Sequence, residues 1–210
     1  MEANISRGVR NEKNRRLVQL SMWTAIILVL GLVPNLGFIM IGPFPVTIIH
    51  IPVIIGAVML GPGAGAFLGL IFGITSVLQA TFILMPTSFM FSPFVPFGKP
   101  ESLIVAIVPR ILIGVFAALI YRLIRMKDRR GYAASLAAGL VGALTNTVFV
   151  LSGVYIFFGQ HYASVNKIPF AGLLGVLMGV VATNGVVEAV IAAVVVTAVT
   201  KALFAVMRRH

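Results

Sequence analysis

The side chains with most to say about chemistry are the few polar ones set inside long apolar runs. Arg110 sits in the run 103–124, directly after Pro109. Asn146, flanked by Thr145 and Thr147, interrupts the run 133–158, at a depth similar to that of Arg110. Asn184 and Glu188 stand four residues apart in the run 168–206, which places them on one face of a helix. Thr75, Ser76, Gln79 and Thr81 gather towards the end of the run 64–85, and Thr47 and His50 lie near the start of 46–60. A charge at the centre of a bilayer costs ~2.5–3.5 kcal/mol on insertion scales, so each such group is a candidate site residue. A guanidinium matches a carboxylate bidentately, and a carboxamide both donates and accepts hydrogen bonds. The set implies a cavity in the outer half of a helix bundle that takes a small polar molecule carrying an acid group. The competing reading is an Arg110–Glu188 pair with interhelical hydrogen bonds, which brace the bundle and bind nothing.

Other chemistry lacks its residues. Cysteine is absent, so disulfides, iron–sulfur clusters and thiol nucleophiles are excluded. The three histidines, His50, His161 and His210, show no metal-ligand spacing. No GxxxxGK[ST] run is present, so the chain has no phosphate cradle of its own for ATP. No nucleophile and base share a layer, and Glu188 is the single buried acid, which argues against proton-coupled transport. The chain reads as a binder that is not an enzyme and needs no cofactor.

The elements that must position these groups follow from composition. Of 210 residues 60% are hydrophobic and 10% charged, with a mean hydropathy of +1.08. Soluble domains run at about 25% charged residues, and disorder needs low hydrophobicity, so an all-α integral membrane protein remains. Runs at 17–33, 46–60, 64–85, 103–124, 133–158 and 168–206 give six transmembrane helices in one domain, 1–210, with a basic tail at 1–16. The second run is short and carries Pro52; the sixth is long enough to tilt or project.

The net charge of +11 does not signal nucleic acid, because no stacking aromatics are interleaved with the cations. Six spans place thirteen of the sixteen basic residues on one side, including the groups at 7–16, 122–130 and 201–209. That side is the cytoplasm, so both termini are cytoplasmic in a multi-pass protein of the cell membrane. The outer connections 34–45 and 86–100 are rich in Pro and Phe and suit a lid folded over a cavity, with Phe91 in the candidate binding set. Small residues at i, i+4 spacing (Gly65, Gly69, Gly73; Ala134, Ala138, Gly142; Gly175, Gly179) allow close backbone packing in lipid. Ser21 and Ala25 repeat the spacing on the first span, where a small face suits a partner subunit.

Several runs carry a resemblance. Thr47-Ile-Ile-His-Ile-Pro-Val-Ile-Ile-Gly56, Leu60-Gly-Pro-Gly-Ala-Gly65 and Gly69-Leu-Ile-Phe-Gly-Ile-Thr-Ser76 resemble substrate-binding S components of energy-coupling factor (ECF) vitamin transporters, most nearly the pantothenate-type branch. Thr87-Ser-Phe-Met-Phe-Ser-Pro-Phe94, Pro109-Arg-Ile-Leu-Ile-Gly114, Leu144-Thr-Asn-Thr147 and Asn184-Gly-Val-Val-Glu188 fit the same pattern, over about residues 17–205. The resemblance implies capture of a vitamin from outside, best matched by pantothenate, by a subunit that pairs with a transmembrane T component and two ABC ATPases. It also implies a coupling contact on the first helix at Ser21 and Ala25, where the family has an AxxxA pattern and this chain has Ser first, with Trp23 between them. The alternatives are an S component for riboflavin, folate or thiamine, and a stand-alone channel or facilitator. The lone Trp23 gives little for a flat aromatic ligand to stack on, and the inner half of the bundle offers few polar groups for a continuous path.

Overall fold

A computed structural model describes residues 2–33, 36–41 and 44–207, with side chains at 12–33, 36–37 and 47–206. The ends of the chain, including Arg208 and Arg209, and residues 34–35 and 42–43 of the first outer connection lie outside the described residues.

The first helix, α1 (Glu2–Leu32), begins well before the expected Leu17, so the basic segment is helical and continuous with the first span. Arg16 donates to the carbonyl of Leu60 at 2.6 Å, which ties α1 to the end of the second helix. A short antiparallel pair follows, β1 (Phe38–Ile41) and β2 (Phe44–Thr47), with Phe38 opposite Thr47. This departs from an all-α chain and from a second span opening at Val46. Pro45 drives its predecessor Phe44 into extended backbone, and Val46 and Thr47 are β-branched, so the strand is locally favoured.

The helix α2 (His50–Leu60) therefore has eleven residues, about 16 Å at 1.5 Å per residue, against a hydrocarbon core of ~30 Å. Pro52 is tolerated because it falls in the first turn, where an N–H has no partner within the helix. Every described residue of α2 except Met59 is buried, as expected of a helix that is apolar all round. It is packed among α1, α3 (Pro62–Phe82), α4 (Glu101–Arg125), α5 (Tyr132–Gly153) and a late helix, α8 (Val186–Met207). Gly61 makes the turn from α2 to α3 with φ of 94°, a left-handed conformation that glycine adopts without strain, and Pro62 opens α3 at the position that suits it.

The fifth span is longer than expected, and both of the last two are internally broken. The α5 helix runs through a π-helical segment (Val154–Phe158) into α6 (Gly159–Val165), so most of the stretch between the expected runs 133–158 and 168–206 is helical. The helix α7 (Phe170–Val180) passes through a second π segment (Val181–Gly185) into α8. Among the described residues five helical stretches are long and apolar enough to cross a membrane: 12–32, 62–82, 101–125, 132–165 and 170–206. Their outward faces carry large apolar side chains such as Val18, Val29, Ile104, Val148, Leu174, Val190 and Val194, the reverse of a soluble surface.

Small residues set the spacing of α3 and α4. A Cβ at Gly65 would strike the carbonyl of Gly114, one at Gly69 the carbonyl of Arg110, and one at Gly73 the Cα of Ile107. The three glycines thus seat α3 on the backbone of α4 along three turns. Gly142 receives Ile54 of α2 in the same way. Gly175 and Gly179 differ: a Cβ there meets nothing within 4 Å, so this repeat points away from the bundle.

Candidate functional site

Pro109 and Arg110 explain one another. Proline has no N–H, so the carbonyl of Val105, four residues earlier, loses its helical partner. The guanidinium of Arg110 fills that vacancy, with Nη1 donating to the Val105 carbonyl at 2.8 Å. The rest of the group is clamped between Phe72 of α3 and Phe91 of the 83–100 connection, with ring centroids 5.4 and 5.2 Å from Cζ. Cation–π contacts of this kind hold a guanidinium in place without neutralising it. Arg110 is 4% exposed, and its Nε has no hydrogen-bond partner.

Around it lies a cavity of about 850 Å³, its open mouth included, walled by α3, the loop after it, α4, α5, Thr47 of β2 and the second π segment. The lining contains Arg110, Gln79, Phe91, Asn146, Asn184 and Glu188, together with Thr47, Ser76 and Thr147. Polar groups from runs far apart in sequence thus meet around one void. Three atoms of this lining are buried without a partner: Arg110 Nε, Asn146 Oδ1 and Gln79 Oε1. Buried polar atoms are normally paired, and such an atom left alone costs about 1–3 kcal/mol, so three beside a void are an arrangement that a polar ligand would complete.

Glu188 is differently employed. Its Oε1 accepts the backbone N–H of Thr47 at 2.6 Å, joining α8 to the end of β2 in a buried contact. Arg110 and Glu188 also act on each other electrostatically. Asn184 sits in the π segment, where its Oδ1 accepts from the Thr183 hydroxyl at 3.3 Å. A π turn leaves the regular ladder of backbone bonds, and such turns often occur where a helix lines a site.

Four candidates lie outside the lining: Thr75, His50, and Thr81 and Thr145, whose hydroxyls donate to the carbonyls of Val77 and Val141. Thr75 is fully buried, donates to the Phe72 carbonyl at 2.8 Å, and packs where Gly31 of α1 leaves room. Its neighbour Ser76 faces the cavity instead, because adjacent helical residues point about 100° apart. His50 is 1% exposed and sits in the first turn of α2 close to the Thr47 backbone, but it is not part of the cavity lining.

The sequence reading did not single out Thr87 and Ser88, or the apolar wall of Ala80, Ile83, Met85, Val150, Leu151 and Val180. Thr87 and Ser88 reach the cavity because the 3-10 turn Ser88–Met90 folds inward, held by the Ser88 hydroxyl, which accepts the Met85 N–H at 2.9 Å. In the same connection Phe94 and Phe97 are exposed. On α1, Ser21 and Ala25 are exposed while Trp23 is turned inward against Gly56. The small pair therefore presents an open face that the Trp does not obstruct.

The family model of the substrate-specific component of ECF transporters matches residues 15–200. The pantothenic acid transporter PanT of Lactococcus lactis subsp. cremoris is 39% identical over 202 residues, covering 93% of this chain and 96% of the relative. The pantothenate transporter PanT of Leuconostoc mesenteroides subsp. mesenteroides is 32% identical over 208 residues, covering 95% and 97%.

Proposed function

The chain belongs to the ECF transporter substrate-specific component family, and on that premise we propose that it captures pantothenate in the cavity around Arg110 for uptake into the cell. Pantothenate carries one carboxylate, one amide, two hydroxyls and a pair of methyl groups. The guanidinium of Arg110 takes the carboxylate; Asn146, Asn184 and Gln79 serve the amide and hydroxyls. The wall of Ile83, Met85, Val150, Leu151 and Val180 receives the methyl-bearing carbon. The observation that carries this reading is the set of buried, unpartnered polar atoms on Arg110, Asn146 and Gln79 around one void. The names of the two relatives supply the choice of vitamin.

In this reading α2, with the β pair before it, completes a sixth crossing, which keeps both termini in the cytoplasm as the positive-inside rule requires. The connection 83–100, with Phe91 against Arg110, closes over the bound vitamin. Ser21 and Ala25 form the face that meets a transmembrane T component, and two ABC ATPases supply the nucleotide site that this chain lacks.

The test is a thermal-shift panel of water-soluble vitamins on the purified protein. At a concentration of ~100 Kd a ligand specific to the folded state adds about 2.7 kcal/mol, or roughly 5–10 °C for a chain of this size. Pantothenate is expected to give that shift, with riboflavin, folate and thiamine giving none. A shift with thiamine, riboflavin or folate and none with pantothenate would overturn the choice of ligand, and no shift with any vitamin would overturn the binding role.

A further inference from the structure

The contact between Glu188 and Thr47 joins elements 141 residues apart in sequence, and both residues line the cavity. Thr47 closes β2 and is followed at once by the entry to α2, with the next N–H, that of Ile48, donating to the Gly37 carbonyl. The Thr47 N–H is directed away from its partner strand and towards α8. A carboxylate accepting a backbone N–H in a buried setting is among the stronger hydrogen bonds a protein makes. The wall formed by Thr47 and the wall formed by α8 are thereby fastened together beside the void.

We infer that Glu188 is a positioning residue that acts through the Thr47 amide: it latches the end of β2 to α8, and this latch must open for the ligand to leave. The ligand's polar groups are held by Arg110 and the carboxamides, and Glu188 governs how long they stay held. This rests on the pantothenate reading for the identity of the ligand, but the latch itself belongs to the empty protein.

Three variants separate the roles. Glu188→Ala removes the acceptor, Thr47→Pro removes the donor, and Glu188→Gln keeps a carbonyl oxygen at the same reach while removing the charge. Loss of a hydrogen bond to a charged group corresponds to roughly 10- to 150-fold in an equilibrium, so Glu188→Ala and Thr47→Pro should release labelled pantothenate at least about tenfold faster. The double variant should be no faster than the worse single one, since both break the same bond. Glu188→Gln should restore most of the retention. In the ligand-free protein, hydrogen exchange of the peptide spanning residues 44–49 should speed up in Glu188→Ala and not in Glu188→Gln.

Unchanged exchange in Glu188→Ala, or release from Glu188→Gln as fast as from Glu188→Ala, would overturn the latch. So would full additivity of Glu188→Ala with Thr47→Pro, which would make Glu188 a direct ligand contact. Faster exchange in Glu188→Ala combined with no pantothenate binding to the wild-type chain would uphold the latch and reject pantothenate as the ligand. Glu188→Gln is the check against misfolding, because it keeps the shape of the side chain and an acceptor for the Thr47 N–H.

Discussion

Gly69→Ala is the perturbation that links helix spacing to the site most directly. A Cβ at residue 69 would collide with the carbonyl oxygen of Arg110, and would stand 2.7 Å from the carbonyl carbon of Arg110 and 2.8 Å from Cα of Ile111. All three are backbone atoms, so no side chain can swing aside. Normal contact lies near 3.4–4 Å, so α4 must retreat by about an ångström at the residue that carries the guanidinium. Overpacking of this kind costs about 1–3 kcal/mol, offset in part by the better helix propensity of alanine, at most ~1 kcal/mol.

The melting temperature of the ligand-free Gly69→Ala protein should therefore fall by roughly 2–8 °C. The same retreat carries Arg110 away from Phe72 of α3 and shifts it relative to the groups that α3 gives the cavity, so pantothenate affinity should drop by at least about tenfold. Gly175→Ala is the matched control. Nothing lies within 4 Å of its Cβ, so it gains propensity without a clash and should melt at or slightly above the wild-type temperature with unchanged affinity. Thermal melts in detergent with a pantothenate titration read both quantities. If Gly69→Ala and Gly175→Ala behave alike, the glycine ladder is not what holds Arg110 in place.

Two further outcomes follow from local chemistry. Pro109→Ala restores an N–H to the Val105 carbonyl in competition with Arg110; a melt no lower than wild type together with a several-fold loss of pantothenate affinity is expected, and a loss of stability with unchanged affinity would contradict the pairing. At the start of α5, Asp128 accepts the backbone N–H groups of Ala134, Gly131 and Arg130, and these hold its carboxyl below the usual carboxylate range. Its contribution is full above the unfolded value of about 3.9 and is lost as pH falls through the lower folded value. Asp128→Ala should accordingly melt lower than wild type at pH 7, with the gap closing below about pH 4 in melts taken across that range.

Depth along a helix is legible in sequence because each residue advances the chain by a fixed rise, and this is why Arg110, Asn146, Asn184, Glu188 and Gln79 could be grouped before their geometry was known. Which way a side chain points is legible only where polarity has a period. Residues 51–60 are apolar throughout, so no polar period distinguished the face of His50, and the strand that ends at Thr47 competes with a helix of similar hydropathy. Thr75 and Ser76 are adjacent and chemically alike; only the glycine at position 31, in another helix, decides which of them is buried in packing. Glycine repeats show the same limit. Gly69 and Gly175 are equivalent in spacing, yet one meets a backbone and the other meets open space. The π segment at 154–158 carries no turn or capping residue that would announce it, while 181–185 holds the turn-forming pair Asn184-Gly185 inside an otherwise apolar run. The inward fold of Thr87 and Ser88 is held by the hydroxyls of Ser88 and of the distant Ser102, and the surrounding Pro and Phe residues suggested a cover without saying which half of it reaches the void.

In the proposed function a fixed guanidinium in the membrane, that of Arg110, recognises the acid group of pantothenate. Calorimetry with pantothenate and with pantothenol, in which the carboxylate is replaced by a hydroxymethyl group, on the wild-type and Arg110→Met proteins tests it most directly. Breaking a buried charged pair from one side costs about 2–5 kcal/mol, so wild type should prefer pantothenate by ~30-fold or more. In Arg110→Met the two ligands should bind with the same weak affinity. A preference for the acid that survives in Arg110→Met would place the carboxylate elsewhere and contradict the account.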